Sequence, residues 1–231
     1  MKKLVKYFSV GEIILWSVSV AVIIISFILF DRSSYLSLTA SLIGVTALIF
    51  CAKGNPIGQG FMMIFCVLYG IISLSYSYYG ELMTYMLMSF PMAVASLVTW
   101  LRNPARDGHS EVKTNRIGKK ELIILIFATA AVTVVFYFIL KFFGTANLLT
   151  STLSVTTSFF AAYLTFRRSP YFALAYALND IVLIVLWTMA VFEDMSYISV
   201  IICFVVFLVN DLHGFIRWKQ MEKRQSMIEE P

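Results

Sequence analysis

The sequence predicts an all-α, polytopic membrane protein with about eight transmembrane helices. Of its 231 residues, 60% are hydrophobic and only 13% are charged, and the mean hydropathy is +0.84. A soluble domain of this length would carry about a quarter charged residues. The charged residues are also segregated, so the chain contains apolar runs of about 16 to 24 residues, which are long enough to cross a bilayer.

Eight apolar runs follow one another, separated by glycine, proline or charged residues. They cover residues 11–30, 36–52, 58–78, 82–101, 121–142, 147–166, 171–191 and 196–216. The first run resembles a signal peptide, because it follows a basic N-terminus. However, it ends at Asp31-Arg32 without a small-residue cleavage site, so we interpret it as a retained helix.

Basic residues predict the orientation of the helices. The loop 102–121 carries six Lys or Arg and three acidic residues, and we interpret it as a solvated cytoplasmic linker with His109 at its surface. An inside N-terminus places this loop, Lys53, Arg167 and Arg217 on the same side of the bilayer. Because basic loops remain in the cytoplasm, we expect both termini on the inner side of a cytoplasmic membrane.

The two halves of the chain contain the same landmarks in the same order. Pro56 and Pro170 each follow a basic break after an apolar run, and Trp100 and Trp218 each end a run. Each half holds an even number of spans, which predicts halves of the same orientation. Parallel repeats of this kind are typical of transporters, whose site lies between the halves near the bilayer midplane.

Two Asn-Asp pairs interrupt the apolar runs of the second half. An ionised carboxylate at bilayer depth costs a few kcal/mol or more, so it rarely faces lipid. At about 1.5 Å per residue, Asn179 and Asp180 lie roughly 15 Å from Pro170, near the middle of a ~30 Å core. Asn210 and Asp211 lie nearer the end of the last run. Either pair could instead serve as a hydrogen-bonding partner between helices.

Several longer stretches resemble the PnuC-type family of vitamin transporters. They are AKGNPIGQGFMMIFCVLYGIIS, YYGELMTYMLMSFPM, SLVTWLRNP, FRRSPYFALAYALNDIVLIVLW and VNDLHGFIRW, and together they extend from about Ser41 to Trp218. The combination of G-N-P, P-M and N-D-x-x-G-F-x-x-W is fairly specific for this family.

The resemblance implies a SWEET-like fold, in which two parallel three-helix bundles are joined by a linker helix. The corresponding divisions are an N-terminal end with an extra helix (1–35), a first bundle (36–101), a basic loop (102–120), the linker helix (121–146), a second bundle (147–218) and a cytoplasmic tail (219–231). It also implies a homo-oligomer, a trimer, that imports nicotinamide riboside, a precursor of NAD, by facilitated diffusion. Cytoplasmic phosphorylation would then trap the substrate.

A ribosyl-pyridinium ligand needs an aromatic slot for its cationic ring and polar groups for its ribose hydroxyls. We expect the substrate-binding residues to be Asn179, Asp180, Trp187, Tyr176, Asn210, Asp211, Gln59, Tyr69 and Tyr85. Trp187 could instead anchor the helix at the membrane interface. Pro91 is a candidate gating kink. The chain has only four tryptophans, fewer than the nicotinamide riboside carriers that it resembles, which leaves the substrate open.

Two other functions remain open. The protein could carry another vitamin or nucleoside, such as thiamine or riboflavin, with or without proton coupling through Asp180 or Asp211. It could also be a membrane scaffold or receptor that transports nothing. The sequence contains no HExxH, P-loop, GxSxG or CxxC motif, so we predict neither an enzyme nor a bound metal or cofactor. Its basic residues end the apolar runs, so we expect no nucleic-acid partner beside the bilayer and the small substrate.

Overall fold

The structure is a computed structural model, which describes residues 7–75, 79–105, 110–145, 147–192 and 194–229. Within these residues the chain is helical, as predicted, apart from one isolated bridge between Pro104 and Val112. The helices are α1 (Val10–Phe30), α2 (Tyr35–Ala52), α3 (Ile57–Ser75), α4 (Tyr79–Met83), α5 (Phe90–Leu101), α6 (Lys119–Phe142), α7 (Leu148–Phe166), α8 (Phe172–Val191) and α9 (Ile198–Glu229). A π-helical turn, Thr84–Ser89, joins α4 to α5, so the three form one span.

Each predicted run coincides with a helix, and seven spans in the described residues are long and apolar enough to cross a membrane. Helix α7 has a comparable length of 19 residues, but eight serines and threonines lower its hydropathy. Several of these hydroxyls bond to the helix's own backbone. Thr152 donates to Leu148 O at 2.7 Å, and Thr165 donates to Ala161 O at 2.9 Å. These polar groups are therefore satisfied within the helix.

The last helix is longer than predicted, because α9 continues to Glu229 instead of ending near residue 216. Its extension packs on the loop 102–118. Gln225 accepts a hydrogen bond from the Thr114 N–H at 2.8 Å and donates to Val112 O at 3.1 Å. Val112 is fully buried, and its N–H donates to Gly54 O at 2.9 Å. The loop is thus partly packed and is not a fully solvated linker; His109 lies outside the described residues.

Six helical segments form a closed ring, which we call the helix ring. Going around it, α2 packs on α3, α3 on α5, α5 on α7, α7 on α8, α8 on α9, and α9 again on α2. The contacts α5–α7 and α9–α2 join the first half to the second. Helix α1 packs outside the ring against α2 and α9, and α6 packs outside it against α7.

Two tryptophans connect the halves reciprocally. Trp100 ends the first half and donates its indole N–H to Thr165 O in the second, at 2.9 Å. Trp218, at the matching position of the second half, donates to Cys51 O in the first, at 2.8 Å. Both rings are buried, and their centroids are 5.3 Å apart. Thr165 lies two residues before Arg167, and Cys51 lies two residues before Lys53, which is the matching basic residue of the first half. The two hydrogen bonds therefore connect positions that correspond in the predicted repeat.

Matching ion pairs attach the two outer helices at one end of the ring. Glu12 of α1 is fully buried and lies 3.1 Å from Lys53 and 3.2 Å from Arg217. Glu121 of α6 pairs with Arg167. We call the end that carries Lys53, Arg167 and Arg217 the basic end. The other end, which carries Asp31, is the opposite end.

Candidate functional site

A buried cavity lies inside the helix ring, and all six ring helices contribute to its lining. Its volume is about 60 Å³, enough for a few water molecules. Small-molecule sites usually have volumes of about 300 to 1,000 Å³. The structure therefore shows a closed conformation, and a vitamin-sized ligand requires the ring helices to move apart.

The cavity collects most of the residues expected to bind substrate. Six of the nine line it, namely Gln59, Tyr85, Tyr176, Asn179, Asp180 and Asp211. The last four come from α8 and α9, while Gln59 comes from α3 and Tyr85 from the π-helical turn. The polar part of the lining is thus concentrated in the second half.

Asn179 is oriented by two hydroxyl groups of the neighbouring helix α7. Thr157 Oγ1 and Ser158 Oγ donate to Asn179 Oδ1 at 2.7 and 3.0 Å. Because its oxygen is occupied, the amide offers its NH₂ group to the cavity as a donor. A free asparagine amide can both donate and accept, but the geometry here favours donation to an acceptor such as a ribose oxygen.

Asp180 of α8 and Asp211 of α9 both line the cavity, although they come from different helices. Both side chains are buried, at 4% and 5% exposure. The sequence placed Asp211 at a shallower depth, because it ended the last span near residue 216. The longer α9 instead carries Asp211 well inside the helix, where it lines the same central cavity as Asp180.

Aromatic rings form much of the remaining lining of the cavity. Phe65 contacts Tyr85 and Phe207, with ring centroids 5.9 and 5.7 Å apart. Phe207 and Phe204 of α9 continue this surface, with their ring centroids 5.9 Å apart. A flat ligand ring entering the cavity would therefore meet both aromatic rings and carboxyl groups.

A second, smaller cavity of about 40 Å³ lies toward the opposite end and shares Phe65 and Phe204 with the first. Trp187 and Tyr69 line it, so the structure places these two predicted residues above the central cavity rather than in it. The Trp187 ring packs on Tyr197, with centroids 5.2 Å apart. This arrangement suits a constriction between the central cavity and the opposite end.

Asn210 lines neither cavity. Its amide donates to Ser19 Oγ of α1 at 2.9 Å and to Val206 O at 2.8 Å. The two Asn-Asp pairs therefore differ, because Asp211 faces the cavity while Asn210 holds the outer helix α1. Asn210 therefore forms a hydrogen bond between helices, which is the alternative role that the sequence left open for the Asn-Asp pairs.

Pro91 lies two residues after the π-helical turn. In that turn the N–H of Phe90 donates to Tyr85 O, five residues back. A proline has no N–H and clashes with the preceding turn of a regular helix, which accounts for irregular backbone before it. The turn carries Tyr85, so Pro91 also shapes the cavity wall.

Some residues of the site were not anticipated from the sequence. Ser158 and Thr157 orient Asn179, and Ser96 of α5 lines the cavity. Glu81 is buried near Trp187 at the opposite end, in a small cleft lined also by Thr145. Serine and threonine residues in membrane helices are weak predictors of a binding site, because most of their hydroxyl groups bond to the backbone of their own helix. No group of three or more metal-ligating side chains occurs in the described part of the chain.

A ring of helices, most of them long and apolar enough to cross a membrane, encloses a buried polar cavity, and this arrangement is that of a membrane transporter. More specifically, the chain belongs to the family described as "Nicotinamide mononucleotide transporter", whose sequence profile matches residues 34–220. The predicted resemblance to the PnuC-type family is thereby confirmed.

Two known proteins illustrate the relationship. The chain is 25% identical over 201 residues to a protein of Neisseria mucosa named "Nicotinamide riboside transporter PnuC". The aligned region covers 85% of this chain and 76% of the relative. The structure superposes on the "Crystal structure of the Vitamin B3 transporter PnuC" with a TM-score of 0.83 and 22% identity, covering 94% of both chains. That coverage leaves fewer residues unmatched than α1 contains, so at least part of α1 belongs to the shared fold.

Proposed function

We propose that the protein imports nicotinamide riboside by facilitated diffusion, through alternating access of the central cavity to the two sides of the membrane. The observation that carries this proposal is the lining of the cavity, which combines two carboxyl groups with aromatic rings. Nicotinamide riboside has a flat cationic ring and a ribose, which match these two kinds of side chain. The name of the Neisseria mucosa relative supports the same substrate.

The proposed binding mode assigns a role to each group. Tyr85 and Phe65 contact the pyridinium ring, where cation–π attraction contributes about 0.5 to 2 kcal/mol. Asp180 and Asp211 provide negative charge near that ring or accept from ribose hydroxyls. Asn179 donates to a ribose oxygen, and Tyr176 and Gln59 border the route to the basic end. Trp187 and Tyr69 border the route to the opposite end.

Alternating access is supported by the small volume of the closed cavity. The ring must open to admit the substrate, and the two contacts between the halves, α5–α7 and α9–α2, are the places where the halves can separate. We further propose that the basic end is cytoplasmic, that kinases there trap the substrate by phosphorylation, and that the protein assembles as a trimer.

Exchange in proteoliposomes tests the transport function. Vesicles containing purified protein and unlabelled nicotinamide riboside should accumulate labelled external nicotinamide riboside, and protein-free vesicles should not. Accumulation of labelled thiamine, riboflavin or a nucleoside instead would replace the substrate assignment. Binding without any accumulation would identify a receptor and overturn the transport proposal.

A further inference from the structure

A large groove lies outside the helix ring, between α6, α7 and α8. Its volume is about 750 Å³, against about 60 Å³ for the central cavity. The groove is open to the outside of the molecule, because Leu122 and Leu178 in its lining remain 41% and 55% exposed. We call it the outer groove. Since the proposed substrate site lies inside the ring, the outer groove needs an occupant of its own.

The outer groove is about as long as one leaflet of a bilayer. At the basic end it is lined by Arg116, which precedes α6, and by Tyr171, which precedes α8. On α6 its lining reaches Thr129, and the rise from Lys119 to Thr129 is about 15 Å at 1.5 Å per residue. Half of a ~30 Å hydrocarbon core has the same length. The groove thus runs from the basic end to about the middle of the bilayer.

The walls of the groove are mainly apolar beyond the basic end. Their apolar side chains are Leu122, Phe160, Leu164, Leu174 and Leu178. Two threonines of α7 also line this part, but their hydroxyl groups are already bonded. Thr156 donates to Thr152 O at 2.9 Å, and Thr157 donates to Asn179 Oδ1 at 2.7 Å. A hydrocarbon chain suits these walls better than a polar ligand, because it leaves no hydrogen-bonding group without a partner.

Two basic side chains lie together at the basic end of the groove. Glu222 of α9 accepts hydrogen bonds from Arg116 Nε at 2.9 Å and from Lys219 Nζ at 2.5 Å. Two cations and one carboxylate leave a net charge of +1 at this point. The side chains of Arg116 and Lys219 remain 76% and 39% exposed, so both cations can donate to a further ligand. Lys219 also lies over the ring of Tyr171, 4.8 Å from its centroid.

We propose that the outer groove binds an anionic phospholipid from the leaflet at the basic end. The phosphate accepts hydrogen bonds from Arg116 and Lys219, and an acyl chain lies in the groove along α7 and α8. Basic pockets between membrane helices bind anionic headgroups in this way. Any lipid can supply a chain to a groove that faces the bilayer, so the two cations select the lipid. An anionic headgroup neutralises their remaining charge, whereas a zwitterionic headgroup brings no net charge.

Native mass spectrometry of the purified, delipidated full-length protein tests the proposal. The protein is titrated with phosphatidylglycerol, with phosphatidylcholine of the same acyl chains, and with glycerol 3-phosphate, which carries the phosphate without the chains. We expect one phosphatidylglycerol per protomer, bound about tenfold more tightly than phosphatidylcholine, and no binding of glycerol 3-phosphate at the same concentration. The measurement does not involve the transported substrate, so its failure would leave the proposed function intact.

Two matched variants locate the site. Arg116→Gln/Lys219→Gln removes both cations of the groove and should abolish the preference for phosphatidylglycerol. Arg102→Gln/Lys223→Gln removes the same charge from exposed side chains at the same end, outside the lining of the groove, and should preserve it. The opposite pattern would overturn the proposal. If the groove variant does not fold, the comparison of lipids on the unaltered protein still decides.

Three further results would overturn the proposal. Equal affinities for the two lipids would show that the cations do not select the headgroup. Binding of glycerol 3-phosphate as tight as that of phosphatidylglycerol would show a site for a free anion instead of a lipid. Oxidative cross-linking of protomers through Leu174→Cys would show that a second copy of the chain covers the groove.

Discussion

The two halves of the protein share a frame but differ in the chemistry of their cavity faces. Trp100 and Trp218 make matching hydrogen bonds at the basic end. When these landmarks are aligned, however, Asn179-Asp180 of α8 corresponds to Phe65-Cys66 of α3, and Asp211 of α9 corresponds to Ala93 of α5. Both halves contribute aromatic rings to the cavity, but only the second half adds an amide and two carboxyl groups.

This difference shows how a repeated fold can recognise a ligand that is not symmetric. The frame must repeat, because both halves have to pack and separate in the same way. For the proposed substrate the site must not repeat, since nicotinamide riboside presents a flat cationic ring at one end and hydroxyl groups at the other. Substitutions at matched positions therefore separate the roles of frame and site.

The largest expected effect comes from Asp180, compared with its counterpart Cys66. Asp180→Asn removes a carboxylate that we expect to face the substrate's charge or hydroxyls, and hydrogen bonds to charged groups contribute about 1.5 to 3 kcal/mol. The Kd for nicotinamide riboside should rise about 10- to 100-fold in a binding titration. Cys66→Ser changes the matching position of the first half and should change Kd by less than about threefold.

The site assignment would be wrong if neither Asp180→Asn nor Asn179→Ala altered the Kd of protein that is correctly inserted and assembled. Size-exclusion profiles and thermal unfolding of each variant provide the check on folding. An equal loss of affinity in Cys66→Ser would show that the halves contribute alike, which contradicts the comparison.

A smaller effect is expected at the two asparagines of the second half. Asn179→Ala should raise Kd about fivefold, since one neutral hydrogen bond contributes about 1 kcal/mol. Asn210→Ala is the matched control. Because its amide bonds to Ser19 of α1, this change should lower the unfolding temperature while Kd stays the same. The reverse pattern would move the binding site from Asn179 to Asn210.

The sequence predicted the frame well because bilayer thickness and charge placement constrain it. Runs such as 171–191 match their helices closely, and the spacing from Pro170 placed Asp180 at mid-depth. That Asp211 lines the same cavity as Asp180 was harder to predict. The polar residues after Trp218 suggested the end of a span, whereas α9 continues as a helix that packs on the loop 102–118.

The partners of the two asparagines could not be predicted for a different reason. Hydroxyl groups in membrane helices bond to their own backbone, so nothing in the sequence distinguishes Ser158, which orients Asn179, from Thr152, which does not. The contact of Asn210 with Ser19 depends on where α1 packs outside the ring. An apolar helix gives no sign of that position in its composition.

The frame itself is tested by Trp100→Phe and Trp218→Phe. Each substitution keeps an aromatic ring but removes one buried hydrogen bond between the halves, at a cost of about 1 kcal/mol. Both variants should therefore lower the unfolding temperature by a similar few degrees, as measured on purified protein. A large drop for one and none for the other would show that the frame is less symmetric than the hydrogen bonds suggest.

The smallest effect is expected at Pro91, which lies in the last helical segment of the first half, α5. The corresponding helix of the second half, α9, has a different backbone at this position. The first half contains a π-helical turn just before Pro91, while the corresponding position of the second half is Val209, within the continuous helix α9. We expect this π-helical turn to bend as the ring opens, because such turns often occur at functional sites. Pro91→Ala restores a backbone donor and favours a regular helix, so exchange of labelled nicotinamide riboside should slow about two- to fivefold.

An unchanged Kd in Pro91→Ala would assign the slower exchange to opening of the ring rather than to binding. An unchanged exchange rate would show that the turn only shapes the cavity wall around Tyr85, and that the asymmetry of the halves serves recognition alone.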